Sequence, residues 1–198
     1  MFSGIIEHQA RIIHIENWLF RIENKYSSSY QESESIHTGQ SIAHDGSCMT
    51  ITKVTDEYYE FFVMQESLRV TNFWTKKVWD TFNVERCLKF WDRLDGHIVT
   101  GHVDTIGTVD TLIKESDGSL IYGVRFDPLF NPLIIKKGSI TINGTSLTIV
   151  DARDGELTVS LIPLTQDWTN LGSSRISDSI NLEFDMIGKY ISKLKDKR

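Results

Sequence analysis

Residues 41–51 read SIAHDGSCMTI, and residues 139–149 read SITINGTSLTI, 98 positions further on. Sliding the chain over itself by that distance lays Ser41 on Ser139, Ile42 on Ile140, Gly46 on Gly144, Thr50 on Thr148 and Ile51 on Ile149. The match continues without a gap: Thr71-Asn72 meets Thr169-Asn170, Asp80 meets Asp178, Asn83 meets Asn181 and Glu85 meets Glu183. Between positions 41 and 85, eleven of 45 pairs are identical, and others, such as Ser47 with Thr145, are conservative. A match of that length without insertions is the mark of a duplicated domain. A period near a hundred residues is too long for a solenoid and suits a compact unit.

Each half carries β signals. CMTITKV and SLTIVDA are rich in β-branched residues, while YYEFFVM and ELTVSLI alternate or run apolar over strand length. TFNVERCL and SINLEFD supply a further strand each, with earlier strands expected near 9–15 and 18–24 and mirrored near 105–113 and 119–126. Asp154-Gly155 is a hairpin signal that favours positive φ. Short strands at this spacing predict an all-β chain built as a small barrel or sandwich. ESLRVTN and TQDWTN fit one short helix per half, with Thr165 as N-cap, and Asp127 to Pro132 reads as loop. The tail, DMIGKYISKLKDKR, puts Met186, Tyr190 and Leu194 at four-residue steps beside Ile187 and Ile191, one apolar stripe on a helix. Lys195, Lys197 and Arg198 stand at its C-terminal end, where the helix dipole favours cations. The stripe must be covered by its own barrel or by the same helix of another subunit.

Composition narrows the classes. The 198 residues are 40% hydrophobic and include ten Phe, six Tyr and five Trp, which fits a packed core rather than a disordered chain. A net charge of −6, with no basic stripe, disfavours nucleic acid and anionic membrane as partners. The opening MFSGIIEHQARI lacks the pattern of a signal peptide, and no apolar run reaches the length of a membrane span. With only Cys48 and Cys87, the cytoplasm is the expected compartment and a disulfide framework is not expected.

The repeat, together with MFSGIIE, SIAHDGSCMTI, DRLDGHIVTGHVD, KKGSITINGTSLTIV and LIPLTQDWTNLG, resembles the riboflavin synthase family over nearly the whole chain. The resemblance implies two tandem six-stranded Greek-key β-barrels, residues 1–97 and 98–185, with a C-terminal oligomerisation helix over 186–198. It implies a homotrimer with active sites between subunits, no cofactor and no metal. It implies that two molecules of 6,7-dimethyl-8-ribityllumazine dismutate, one giving a four-carbon unit to the other to form riboflavin. Docking with lumazine synthase is left open.

A reaction between two copies of one molecule needs two pockets of similar shape and unlike reactivity. The repeat pairs fit this: Cys48 stands against Ser146, Gly4 against His102, Gly39 against Lys137, Glu66 against Leu164 and Cys87 against Asp185. By resemblance His102 lies near the acidic methyl on C7 of the lumazine, where an imidazole exchanges protons near neutral pH. His97 is read as making a structural hydrogen bond. Cys48 and Ser146 are placed beside the bound rings, against the plain alternative of small residues on strands. Ser41 is placed near the chemistry, with a shared turn role as the alternative. Asp185 either handles a proton or caps the last helix; Lys137 either neutralises a ring carbonyl or is solvated; Phe2 either stacks on the ring or pins the N-terminus. The resemblance gives the first pocket Gly4, Ile5, Ile6, Cys48, Met49, Thr50, Phe62, Val63, Met64, Gln65, Glu66 and Ser67. It gives the second Gly101, His102, Val103, Lys137, Ser146, Leu147, Thr148, Ile162, Pro163, Leu164, Thr165, Gln166 and Asp167. His44-Asp45, Phe62, and Gln65 in the stretch from Met64 to Ser67 depart from the family's usual residues, as does the LDGH that replaces a double glycine. The alternative to an enzyme is a lumazine- or flavin-binding antenna protein that uses one half; an oligonucleotide-binding barrel is disfavoured by the negative charge.

Overall fold

The structure, a computed structural model, describes residues 1–26 and 35–195, so the expected cations Lys197 and Arg198 lie outside the described residues. The first half folds into β1 (His8–Glu16), β2 (Leu19–Glu23), β3 (Ser41–His44), β4 (Ser47–Val54), β5 (Tyr58–Phe62) and β6 (Thr81–Arg86). The second repeats them as β7 (Thr105–Lys114), β8 (Leu120–Arg125), β9 (Ser139–Ile142), β10 (Thr145–Arg153), β11 (Glu156–Leu161) and β12 (Ser179–Phe184). Each set closes into an antiparallel barrel, in the order β1-β2-β5-β4-β3-β6 and its counterpart, so that β6 returns beside β3 as in a Greek key. Short helices α1 (Gln65–Val70) and α2 (Pro163–Trp168) follow the fifth strand of each barrel, and α3 (Met186–Lys195) ends the chain.

Period-two alternation decides what each strand buries. On β4, Met49 and Ile51 point into the barrel, and Cys48 and Thr50 point out. The first core is aromatic: Phe20, Phe61, Phe73 and Phe82 lie with ring centroids 4.9–6.3 Å apart. The second is mostly aliphatic, with Ile140, Ile142, Ile149, Val159 and Leu182 all buried. The shared motif makes the joint between barrels. Asp45-Gly46 and Asn143-Gly144 turn their hairpins with all four residues at positive φ. The turns meet back to back: a Cβ on Gly46 would lie 2.8 Å from the Gly144 nitrogen, and one on Gly144 would lie 2.7 Å from the Gly46 nitrogen. Only glycine permits that approach, and it sets an approximate twofold axis between the halves.

Two local readings need correcting. Helix α2 begins at Pro163 with Ile162 as N-cap, so Thr165 lies inside it; there the Thr165 carbonyl accepts from the Thr169 amide and hydroxyl. Proline at the first helical position starts the helix earlier than a threonine cap would. The segment from Asp127 is not irregular loop. Pro128–Leu133 forms a 3-10 helix, entered through the Asp127 side chain, which accepts from the Leu129 amide at 2.9 Å. The apolar stripe of α3 stays open, with Ile187, Tyr190, Ile191 and Leu194 each more than half exposed.

The His44 side chain is fully buried against Phe61 and Phe82, with Nε2 2.9 Å from the Tyr59 hydroxyl and Nδ1 3.1 Å from the Ile42 carbonyl. Burial pushes its pKa down to about 3, and pushes that of His8 to about 4. An unfolded histidine titrates near 6.5. Between these values the unfolded chain binds a proton that the folded chain refuses. Stability is therefore full above pH about 6.5 and is lost as the pH falls towards 3. For His44 the loss at pH 4 is on the order of 3 kcal/mol. Urea unfolding from pH 7 to pH 4 checks this: His44→Phe should flatten the dependence, and an unchanged slope would contradict it.

Candidate active site

Two short straps cross the joint between the barrels. The first runs through Phe2, Ser3 and Gly4, ahead of β1; the second runs through Thr100, Gly101 and His102, ahead of β7. Each is fastened to its own barrel by a buried glutamate. Glu85 accepts from the Ser3 amide and hydroxyl at 2.6 and 2.7 Å and from the Gly4 amide at 3.0 Å. Glu183 accepts from the Thr100 amide and hydroxyl, both at 2.7 Å, and from the Gly101 amide at 3.0 Å. Burial raises the Glu85 pKa, and the bonds from the strap oppose that shift.

Each strap then closes on the opposite barrel. The Ser146 amide donates to the Gly4 carbonyl and the Cys48 amide to the Gly101 carbonyl, both at 2.8 Å. The grouping of segments is therefore crossed relative to the expectation. Gly4 lies with Ser146, and Gly101 lies with Cys48. The reason is the twofold axis: a segment leading into one barrel passes the exposed edge of the other. Both glycines have positive φ, and a Cβ at either would lie within 2.8 Å of the strand beneath. That closeness forces the Gly4 position to be glycine.

The first candidate site thus comprises the outer face of β3, β4 and β5 with the second strap. Ser41 faces Thr50 across the β3–β4 ladder. Cys48 and Thr50 point outward, Met49 and Val63 point into the core, and Phe62, Met64, Gln65 and Glu66 are exposed at the strand-to-helix turn, with Ser67 half-buried beside them. His102 is exposed and lines a cavity of 380 Å³ with Thr100, Met186, Lys189, Tyr190 and Lys193. Val103 is half-buried beside it.

The second site repeats the arrangement with other chemistry. Ser139 faces Thr148. Ser146 and Leu147 are half-buried; Thr148 is exposed, as are Ile162, Pro163, Leu164 and Asp167, with Thr165 and Gln166 half-buried. Gln166 is occupied structurally, its amide donating to the Gly118 and Leu161 carbonyls. From the first strap, Ile5 is exposed and Ile6 is buried. His97 stands here: its Nδ1 is 2.7 Å from the Ser146 hydroxyl and its Nε2 3.2 Å from the Thr141 hydroxyl. Burial lowers its pKa, against the pull of Asp185 and Glu183, so it is a neutral imidazole able to accept from one hydroxyl while donating to the other. Lys137 is exposed and holds φ +68°, where its repeat counterpart is Gly39 at φ +89°. For a residue with a side chain that backbone costs about 1–2 kcal/mol, a strain of the kind found at functional positions.

Two further residues have structural occupations. Phe2 is fully buried with Ala43 and Val99 and pairs its backbone with Val99, so it pins the N-terminus and leaves no free ring face. Asp185 accepts from the Ile187 amide at 3.0 Å at the start of α3. Its field still reaches His97. Among the described residues no group of three or more His, Cys, Asp or Glu side chains is placed to hold a metal ion. A cleft of 610 Å³ is lined by Lys76, Asn143, Asn170 and their neighbours and contains none of the predicted site residues.

The residues missed in the sequence are Glu85 and Glu183, and the contact of His97 with Ser146. The glutamates carried a signal: they are an identical pair in the repeat, each a charged residue within a buried stretch of its strand. Nothing in the order of residues brings His97 to Ser146, 49 positions away.

The sequence profile of the lumazine binding domain matches twice, over residues 3–87 and 100–185. The chain is 38% identical to the riboflavin synthase of Actinobacillus pleuropneumoniae, over 96% of this chain and 88% of that one. It is 34% identical to the riboflavin synthase of Escherichia coli (strain K12), over 93% and 87%. Among solved structures, LumP complexed with riboflavin superposes with a TM-score of 0.81 at 22% identity, covering 93% of this chain and all of that one, a likeness of fold.

Proposed function

The chain belongs to the lumazine binding domain family, and on that premise we infer that it is an enzyme, a riboflavin synthase. It is a transferase that takes two molecules of 6,7-dimethyl-8-ribityllumazine. One yields a four-carbon unit and leaves as 5-amino-6-(D-ribitylamino)uracil; the other receives the unit and becomes riboflavin. The observation that carries this reading is the pair of strapped sites, alike in scaffold and unlike in reactive groups. Both present an outward Ser–Thr pair and a strand amide closed by a strap. The first has a thiol, Cys48, where the second has the Ser146 hydroxyl held by His97.

The chemistry assigned to these groups follows from their type. Flat pteridine edges suit backbone donors and acceptors at the strand edges, and ribityl hydroxyls suit Ser41, Thr50, Thr148 and the α1 side chains Gln65, Glu66 and Ser67. Loss of a proton from the C7 methyl needs a base that works near neutral pH, which is the part assigned to His102, with Ser146 and Cys48 facing the reacting carbons. Lys137 offsets negative charge that spreads into the ring carbonyl. The two sites must bring their rings together, and their open faces support a site shared between subunits. The bare stripe on α3 supports a trimer held by that helix. Two free cysteines fit a cytoplasmic enzyme, and among the described residues no helix is long and apolar enough to cross a membrane.

Purified protein given 6,7-dimethyl-8-ribityllumazine alone should form riboflavin and the pyrimidine in equal amounts. Tight binding without product would move the protein to the antenna class. Removing residues 187–198 should convert the oligomer to monomers in sedimentation and abolish activity with it; a truncated protein that remains trimeric would refute the part given to α3.

A further inference from the structure

The two sites differ in one feature of shape as well as in reactive groups. On the first barrel Ile51 pairs with Phe61, and both side chains are buried. Their neighbours Thr50 and Phe62 therefore face outward together, in a row continued by Ser41, which pairs with Thr50, and by Leu19, which pairs with Phe62. On the second barrel Ile149 pairs with Val159, both buried, so Thr148 and Ser160 face outward in a row continued by Ser139. The rows superpose under the repeat, and Phe62 stands where the second barrel has Ser160. Phe62 is 52% exposed although it is a large apolar side chain next to a fully buried Phe61. Among the described residues, the ring contacts of the neighbouring Phe20, Phe61, Phe73 and Phe82 do not include it.

We propose that Phe62 is a stacking platform for the ring of the lumazine in the first site, and that it makes this site the tighter of the two. The proposal rests on the functional reading above. A planar heterocycle lying on the Ser41–Thr50–Phe62 row meets an aromatic face, and offset stacking adds to the area buried. The same ring on the Ser139–Thr148–Ser160 row meets a hydroxyl. The site with the aromatic floor holds its lumazine longer and fixes its tilt, while the other releases more readily. This gives a physical basis for unequal parts in a reaction between two identical molecules. Because the ring is half exposed, its removal does not open the core.

Equilibrium titration of 6,7-dimethyl-8-ribityllumazine, at a temperature where turnover is slow, should resolve two classes of site in the native protein. Phe62→Ser, which installs the residue of the second barrel, should weaken the tighter class about tenfold and leave the weaker class and the melting temperature unchanged. Phe62→Trp should keep the tight class and quench the fluorescence of the lumazine bound there, a signature that a change in folding would not produce. Two equal classes that Phe62→Ser does not alter would overturn the platform and leave the function standing. No binding at all would overturn both. Loss of the weaker class alone would place the ring on the wrong barrel and overturn the proposal.

Discussion

Replacing Lys76 with alanine should cost the fold about 3–5 kcal/mol, the largest loss of stability expected from a single surface-accessible side chain here. Asp45 is fully buried, and the Lys76 ammonium lies 2.5 Å from its Oδ2 with only 11% of that side chain exposed. The other oxygen, Oδ1, accepts from the Asn83 amide at 2.8 Å and the Asn170 side chain at 2.7 Å. Without Lys76 the buried carboxylate loses its only ion-pair partner among the described residues. The second half makes the same turn with Asn143 and has Ser174 in the place of Lys76. The double variant Asp45→Asn with Lys76→Ser therefore copies a solution that the molecule already uses, and it should lose less than about 1.5 kcal/mol, since a buried pair replaced as a unit is close to neutral. Chemical denaturation of the three proteins tests this. Equal losses in the single and double variants would show that charge burial is not the cause. The pair also matters to function, because Asn170 reaches it from the opposite barrel and so fixes how the two sites face each other.

Glu183→Ala should lower kcat/KM about a hundredfold, and Glu85→Ala by a similar factor, from the sensitivity of catalysis to displacements near 1 Å. Neither glutamate needs to touch substrate. Glu183 holds the strap that closes over Cys48, and Glu85 the strap that closes over Ser146. Loss of either carboxylate leaves two strap amides without an acceptor and frees Gly101 or Gly4 from its place. The readout that separates positioning from general damage is which class of lumazine site weakens: the first for Glu183→Ala, the second for Glu85→Ala. Activity within twofold of the native protein in both variants would contradict the role given to the straps.

The repeat, gapless from 41 to 85, made the two barrels legible, because alternation in CMTITKV and SLTIVDA and the shared Gly46 and Gly144 specify the same hairpins twice. Ahead of β1 and β7 the register slips by one: Ser3 and Gly4 match Thr100 and Gly101, so Gly4 does not stand against His102 as the 98-residue shift placed it. Those glycines of the hairpins read as an identical pair in the repeat. Their duty in the fold, turning the hairpins and letting Gly46 and Gly144 meet across the axis, depends in its second part on a contact between halves that no local pattern encodes. The crossing of the straps was hidden for the same reason: Gly4 and Ser146 belong to different repeats, and a 98-residue shift groups each strap with its own barrel. Thr165 looked like a helix cap because the residue type is right; Pro163, two places earlier, took precedence through its fixed φ. Cys48, Ser146 and Lys137 stood out as differences between equivalent positions; the structure sets Cys48 and Ser146 beneath the two straps and leaves Lys137 exposed at a turn of positive φ. Asp185 stood out in the same way and Phe2 came from the resemblance; their side chains are engaged in starting α3 and pinning the N-terminus.

The account stands on two ring sites per chain. Equilibrium ultrafiltration with an unreactive analogue of 6,7-dimethyl-8-ribityllumazine counts them directly. Two molecules bound per chain at saturation is the predicted result; saturation at one, with the other barrel empty at every concentration reached, would contradict it.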